Sequence, residues 1–449
     1  MIEILRDLGA AYFGSPVHQA ALLFSYLVIF IIVFKPDLPL RALKPLKLNE
    51  NLQNKLVIWI PVILSIVLVI IKIIYYLVVS GPAGEGTDAY GQIKSAKILL
   101  SGASPYSQEA FKTTTTGCMY PPLYMALISL PLTICDHVVG IYIVYSIFVP
   151  ITVYLSVKLA SKIFKNNAQI FAFGLTLIIL PLFWKGADRN FNALLIMGVL
   201  LSILFLLSAK ELIERKEVKR AKRKLLFVGV VVGILASIRF PLLLPFFAML
   251  IIFPSLPKRL RLNSFIACIV TFGLIHLIYY IIFGWESIYY PYIWPVERVG
   301  GLSWLGAVSL TGVDVLVIQK FLPLLFIGIP ILYAYWKKIS WLPVLVITMC
   351  GMYLSTAFLT DTYLSWFTPL IILYLWKLGR RARMMLIVLL CLLSATVASI
   401  APPTPLSQLV AHPIAVEHML GVITMVLLVI ILLFVIITAR KTYKFKVSL

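Results

Sequence analysis

The sequence predicts an all-α polytopic membrane protein of about thirteen transmembrane helices, with short external helices between some of them. Three observations predict it. Of 449 residues, 61% are hydrophobic and only 12% are charged, about half the charged share of a soluble domain. The apolar residues gather in runs that approach or exceed the roughly 17–25 residues needed to cross a bilayer. The basic residues cluster in short segments between those runs, as the positive-inside rule requires. The net charge of +22 therefore reports topology, and no nucleic-acid partner is expected. Five scattered cysteines without a CxxC pair give neither a disulfide framework nor a zinc site. The start of the chain lacks a basic n-region followed by a small-residue cleavage site, so no cleaved signal peptide is expected.

Each element follows from its apolar run and its basic end. Gln19–Phe34 runs into Lys35, Arg41, Lys44, Lys47 and Lys55, which places that loop on the cytoplasmic side. Leu56–Ser80 returns outward. Ala89–Ser101 reads as an interfacial helix with Ile93, Ala96, Ile98 and Leu100 apolar. Pro122–Ile134 is short for a span and reads as a half-buried or re-entrant helix started by Pro121. Val138–Leu159 crosses inward to Lys158, Lys162 and Lys165, and Asn167–Trp184 goes out. Ala193–Ser208 comes back to Lys210–Lys224, where eight Lys/Arg face three Glu. Leu225–Phe253 is basic at both ends, so it is expected to be two short helices meeting near the outer face at Ser237-Ile-Arg239-Phe-Pro241. Ser264–Phe283 leads to an aromatic loop, Gly284–Leu310. Phe321–Trp336, Trp341–Phe358, Leu364–Trp376, Met384–Ile400 and Met419–Ile437 complete the set. The whole chain, 1–449, reads as a single membrane domain: a first large external loop (84–136), central helices (138–283), the aromatic loop (284–310) and C-terminal helices (311–449).

In this topology the polar residues segregate. The outer face collects Glu85, Asp88, Glu109, Asp188, Glu286, Glu297 and Asp361 with Lys94, Lys97, Lys112, Lys185, Arg189, Arg239 and Arg298. The richest stretch is Gly84–Leu132. Asp88 suits two roles, N-cap of the helix after it and general base toward a hydroxyl within hydrogen-bond reach. Lys94 and Lys97 suit either lipid headgroups, by snorkelling, or a bound phosphate. Arg239 sits at a helix break among apolar residues, where an ion is costly and marks function by default. It suits either an ion pair with Asp188 or a phosphate oxygen. The Trp285–Trp304 segment suits an aromatic belt or a lid over a lipid-borne substrate. The histidines have no metal-ligand spacing. A transporter or flippase is the alternative, but only Lys72 lies inside a span, where that function would place several ionisable groups.

Three groups of residues carry a family likeness: Thr87-Asp88-Ala89-Tyr90, Leu99-Leu100-Ser101-Gly102-Ala103-Ser104-Pro105-Tyr106, and Tyr120-Pro121-Pro122-Leu123 with Pro131-Leu132. Asn190-Phe-Asn192-Ala-Leu-Leu and Ile238-Arg239-Phe240-Pro241 extend it. Over roughly residues 84–245 the chain resembles the GT-C glycosyltransferases, in particular the family 87 polyprenol-phosphate-mannose-dependent mannosyltransferases and, more loosely, the GPI mannosyltransferases. The resemblance implies a hexosyl, in particular mannosyl, transferase. It takes its sugar from a polyprenyl- or dolichyl-phosphate donor to a glycan or glycolipid acceptor at the external face of a cell membrane, or the lumenal face of the ER. It implies Asp88 as the base of an inverting attack. Arg239, Lys94, Lys97 and Arg189 would hold the donor phosphate, and Tyr90, Tyr106, Tyr120, Asp188, Asn192, Glu297 and Arg298 would line the substrate. Some relatives carry an acid pair where this chain has Asp88 alone, so a lone base and no metal or cofactor are implied.

Overall fold

The computed structural model of the chain describes residues 16–42, 49–79, 88–110, 119–133, 138–184, 186–187, 191–252, 256–293, 300–301, 304–309, 311–337, 339–356, 358–359, 361–398 and 413–442. The described residues are almost entirely helical. In chain order the principal helices are α1 (Pro16–Phe34), α2 (Glu50–Val79), α3 (Asp88–Leu100), α4 (Pro122–Leu132), α5 (Val138–Ser146), α6 (Phe148–Ile163), α7 (Asn167–Ile179), α8 (Asn192–Glu214) and α9 (Val218–Ala236). They continue as α10 (Leu243–Ile252), α11 (Lys258–Phe283), α12 (Trp304–Ser309), α13 (Val315–Pro323), α14 (Ile329–Trp336), α15 (Trp341–Leu354), α16 (Thr368–Lys377), α17 (Arg380–Ala398) and α18 (Pro413–Thr442). Among the described residues, the extended pairing is one short parallel bridge, β1 (Gly300–Gly301) beside β2 (Phe358–Leu359).

Among the described residues, six helices are long and apolar enough to cross a membrane: Asn51–Ile74, Val139–Ile163, Asn192–Glu214, Lys258–Phe283, Val317–Trp336 and His418–Ala439. Five further apolar helices are shorter: Gln19–Phe34, Pro122–Leu132, Asn167–Ile179, Phe240–Ile251 and Trp341–Leu354. The protein is thus an all-α membrane protein. The segment read as one run over Asn167–Trp184 stops earlier, because Leu180 turns extended (φ −68°, ψ 116°) ahead of Pro181, whose ring disfavours a helical residue before it. The expected break in Leu225–Phe253 is present. Helix α9 ends at Ala236, and a 3₁₀ turn over Phe240–Leu242 leads into α10. Helix α11 leaves Leu262, Leu274, Ile278 and Ile281 exposed, Ile281 to 72%. An apolar stripe of that kind is tolerable against lipid tails and not against water.

The chain folds as two compact units that interleave along the sequence: residues 1–64, 153–187 and 298–449 in one, 65–152 and 188–297 in the other. In the first, α16 is buried over Thr368–Trp376, as a helix apolar all round must be, and the Tyr374 hydroxyl meets Thr438 Oγ1 of α18 at 2.6 Å. In the second, α9 and α11 pack at backbone distance. A Cβ on Gly229 would stand 2.3 Å from the Ser264 carbonyl oxygen, and one on Gly233 would stand 2.7 Å from that of Cys268. The Ser264 hydroxyl donates to the Leu225 carbonyl at 2.7 Å across the same crossing. This small-xxx-small contact is how helices associate where lipid supplies no hydrophobic drive. Gly233→Leu is expected to lower stability by about 1–3 kcal/mol or more, read as a fall in the thermal midpoint in detergent. An unchanged midpoint would mean that the crossing does not hold the unit together.

Candidate functional site

The site is built from the second unit alone, beginning at α3. Asp88 opens this helix. The side chain of Asp88, and all of Asp188, Arg189, Glu297 and Arg298, lie outside the described residues. The helix ends on Gly102 (φ 80°), whose N–H donates to the Leu99 carbonyl while the Ala103 N–H donates to Ile98. That is the Schellman closure, which a left-handed glycine makes cheap. The chain then turns through Ser104-Pro105 into Tyr106. Tyr106 is fully buried, its hydroxyl donates to the Tyr120 carbonyl at 2.6 Å, and its ring meets Phe283 edge-on. The turn is thereby fastened to the start of α4. Pro121 and Pro122 have no N–H to satisfy there, and the Leu123 N–H donates to the Tyr279 hydroxyl at 3.2 Å, so an otherwise orphaned helix-end donor is paired.

The face that α3 buries differs from the one its apolar residues point to. Gln92, Ser95 and Ala96 are inside, Leu100 is exposed, and Lys97 faces out. The reason is a hydrogen-bond chain. The Tyr145 hydroxyl of α5 donates to Gln92 Oε1 at 2.5 Å and meets the Tyr124 hydroxyl of α4 at 2.8 Å. A buried glutamine carbonyl without such a donor would cost about 1–3 kcal/mol. Aromatic rings enclose the chain. Tyr120 stacks on Tyr124 at 4.2 Å, and Phe191 sets its edge against both Tyr124 (4.8 Å) and Tyr145 (4.7 Å).

Phe191 holds a left-handed backbone (φ 52°, ψ 28°) just before α8. For a residue with a Cβ that conformation costs about 1–2 kcal/mol, offset here by the ring contacts. Its effect is to aim the next residue, Asn192, inward at the first turn of α8. Arg239, held at the break between α9 and α10, donates from Nη2 to Asn192 Oδ1 at 2.6 Å. Asn192 is fully buried and Arg239 is 9% exposed. The guanidinium also lies within electrostatic reach of the Tyr145 hydroxyl. Tyr292 props the same break by donating to the Ser237 carbonyl at 3.4 Å. Burial holds the Tyr292 hydroxyl well above its ordinary pKa, so it remains a donor at all physiological pH.

Of the residues singled out in the sequence, the structure brings Asn192 and Arg239 into contact, with Tyr120 in the adjoining aromatic cluster. Lys94 and Lys97 stand roughly opposite the buried face of α3, and the Lys94 ammonium lies 5.7 Å from the Tyr90 ring. The two lysines therefore do not join Arg239 at one point. Sequence reasoning passed over Gln92, Tyr124, Tyr145 and Phe191. The available signal was the polar pair Gln92/Ser95 at helical spacing, with tyrosines inside otherwise apolar runs. Among the described residues, no three His, Cys, Asp or Glu side chains converge on a point.

The site's backbone geometry gives one direct check. Phe191→Ala and Phe191→Gly both remove the ring, at about 3–5 kcal/mol. Glycine relieves the left-handed strain, so the Gly variant should be the more stable of the two by about 1 kcal/mol, the reverse of the order at an ordinary helix position. Thermal unfolding of the pair reads this directly, and an Ala variant at least as stable as the Gly variant would contradict it.

Compared with known proteins, the chain matches no family model, no curated protein and no solved structure. Its chemistry has to be read from the site. What converges there is a buried cation fixed by an amide, a polar chain of glutamine and tyrosines, and an aromatic enclosure, all beside a helix that begins with an acid.

Proposed function

We propose that the protein is a membrane glycosyltransferase that moves a hexosyl group, in particular mannosyl, from a polyprenyl-phosphate donor to an acceptor hydroxyl at the outer membrane boundary. The observation that carries the reading is the buried Arg239–Asn192 pair. An ionised group in an apolar unit is expensive and is retained where a ligand of opposite charge needs it. A phosphodiester fits the guanidinium fork, and a lipid-borne phosphodiester reaches such a group from within the membrane.

The reaction follows. Asp88 takes the proton of the acceptor hydroxyl as its oxygen attacks the anomeric carbon from the face opposite the phosphate. The bond between that carbon and the phosphate oxygen breaks, the configuration inverts, and the lipid phosphate leaves with its negative charge increased. Arg239, already oriented by Asn192, meets that growing charge without reorganising. The tyrosine rings offer flat apolar faces, and their hydroxyls hydrogen-bonding edges, to a sugar.

The test is reconstitution. Purified protein in vesicles, given polyprenyl-phosphate mannose and short glycan or glycolipid acceptors, should release polyprenyl phosphate in step with glycosylated acceptor. Movement of the intact lipid-phosphate sugar between leaflets without transfer would replace this reading with a flippase. The absence of both activities with any lipid-phosphate hexose would leave it without support.

A further inference from the structure

The first compact unit contains a pocket unrelated to the residues above. It lies between the start of α2 and the junction of α6 with α7, and is a half-open cleft of about 430 Å³, within the size range of small-ligand sites. Its polar rim is Asn54, Ser161, Lys162, Lys165 and Asn167. Val57, Phe164 and Ile170 form an apolar wall, and each is buried. The rim is fastened across the two sides, since the Asn167 amide donates to Asn54 Oδ1. Below it the helices meet closely. A Cβ on Gly174 of α7 would stand 2.7 Å from the Pro61 ring of α2, about one turn beyond the wall residues Val57 and Ile170.

Three observations bear on what fills it. The local charge is predominantly positive: Lys55, Lys158, Lys162 and Lys165 are close in sequence to the rim, against Glu50 one turn before Asn54, and neither 51–79 nor 148–184 contains a single Asp or Glu. The pocket lies at the ends of two candidate spans, Asn51–Ile74 and Val139–Ile163, which is the depth of lipid headgroups. Just inside that level Trp59 stacks on Tyr154 at 5.6 Å, and the Lys158 ammonium lies 5.4 Å from the Tyr154 ring, an aromatic and cationic pairing typical of the interface. A soluble anion would use the rim alone. A lipid uses both parts, with its phosphate on the lysines and amides and its first methylenes on the apolar wall.

We infer that this pocket is a binding site for the phosphate-bearing headgroup of an anionic membrane lipid, held by Lys162 and Lys165 with Asn54 and Asn167. The inference stands independently of the transferase reading, and its test needs no turnover. Full-length protein, stripped of lipid in detergent, is titrated with phosphatidylglycerol, with phosphatidylcholine of the same acyl chains and with inorganic phosphate, bound lipid being counted by native mass spectrometry. Wild type should retain a single phosphatidylglycerol in preference to phosphatidylcholine. The Lys162→Gln/Lys165→Gln double variant should lose about thirtyfold in affinity, the product of two interfacial lysine contributions. A control variant, Lys219→Gln/Lys222→Gln in the basic first turns of α9, should bind as wild type does. Equal retention by the double variant, equal loss in the control, or no preference over phosphatidylcholine would overturn the site. Inorganic phosphate bound as tightly as the lipid, and lost in the double variant, would overturn the lipid as occupant in favour of a soluble phosphate.

Discussion

Asp88→Asn is expected to lower the sugar-transfer rate by about 10²–10⁴, the ordinary contribution of a positioned general base, while leaving the protein folded. The two parts of this expectation have separate physical origins. Asparagine is as good as aspartate at the beginning of a helix, so α3 should form and the thermal midpoint should stay near wild type. The amide cannot accept a proton from an attacking hydroxyl, so the chemical step should slow. Single-turnover rates with polyprenyl-phosphate mannose, measured beside a thermal melt, separate the two. Transfer at the wild-type rate would remove Asp88 as the base, and a collapsed midpoint would mean that its carboxylate holds the fold in a way that an N-cap does not require.

Arg239 should give the second large effect. Arg239→Gln is expected to reduce turnover by about 10²–10³, as loss of a preorganised stabiliser of transition-state charge does. Arg239→Lys should fall between, because an ammonium keeps the charge without the fork. Both changes also disturb a buried hydrogen bond, worth about 1.5–3 kcal/mol when one member is charged, so stability must be read alongside. The discriminating variant is Asn192→Asp. A carboxylate 2.6 Å from the guanidinium would hold the arginine at least as firmly and neutralise the charge proposed to meet the donor phosphate. Stability should stay level or rise while turnover drops about 10²-fold. If activity instead tracked stability across all three variants, Arg239 would be a packing residue and the phosphate role would fail.

Much of the fold was legible because its signals are local. The break at Ser237–Pro241 could be read from a proline and from basic residues at both ends of one apolar run. The limits of α3 could be read from Asp88 and Gly102, and the start of α4 from Pro121-Pro122. Arg239 stood out as an ion among apolar neighbours. Its pairing did not: Asn192, singled out only through the family resemblance, is 47 residues away, and the sequence offered Asp188 as the ion-pair partner instead. The buried face of α3 was not legible for a related reason. Its apolar residues do not form one clean stripe, so the helix offers two plausible faces, and the choice rests on a tyrosine hydroxyl supplied by another helix.

Composition, prolines and the spacing of basic residues were sufficient to establish that this chain is helical and that it belongs in a membrane, since each depends on interactions within a few residues. Which polar groups share a buried space was a matter for the tertiary structure. The Gln92–Tyr145–Tyr124 chain, the left-handed turn at Phe191 that aims Asn192 at Arg239, and the glycine crossing of α9 with α11 each join residues far apart in sequence. Each is favourable only because burial makes an unpaired polar group, or an unfilled contact, more costly than the strain of forming it.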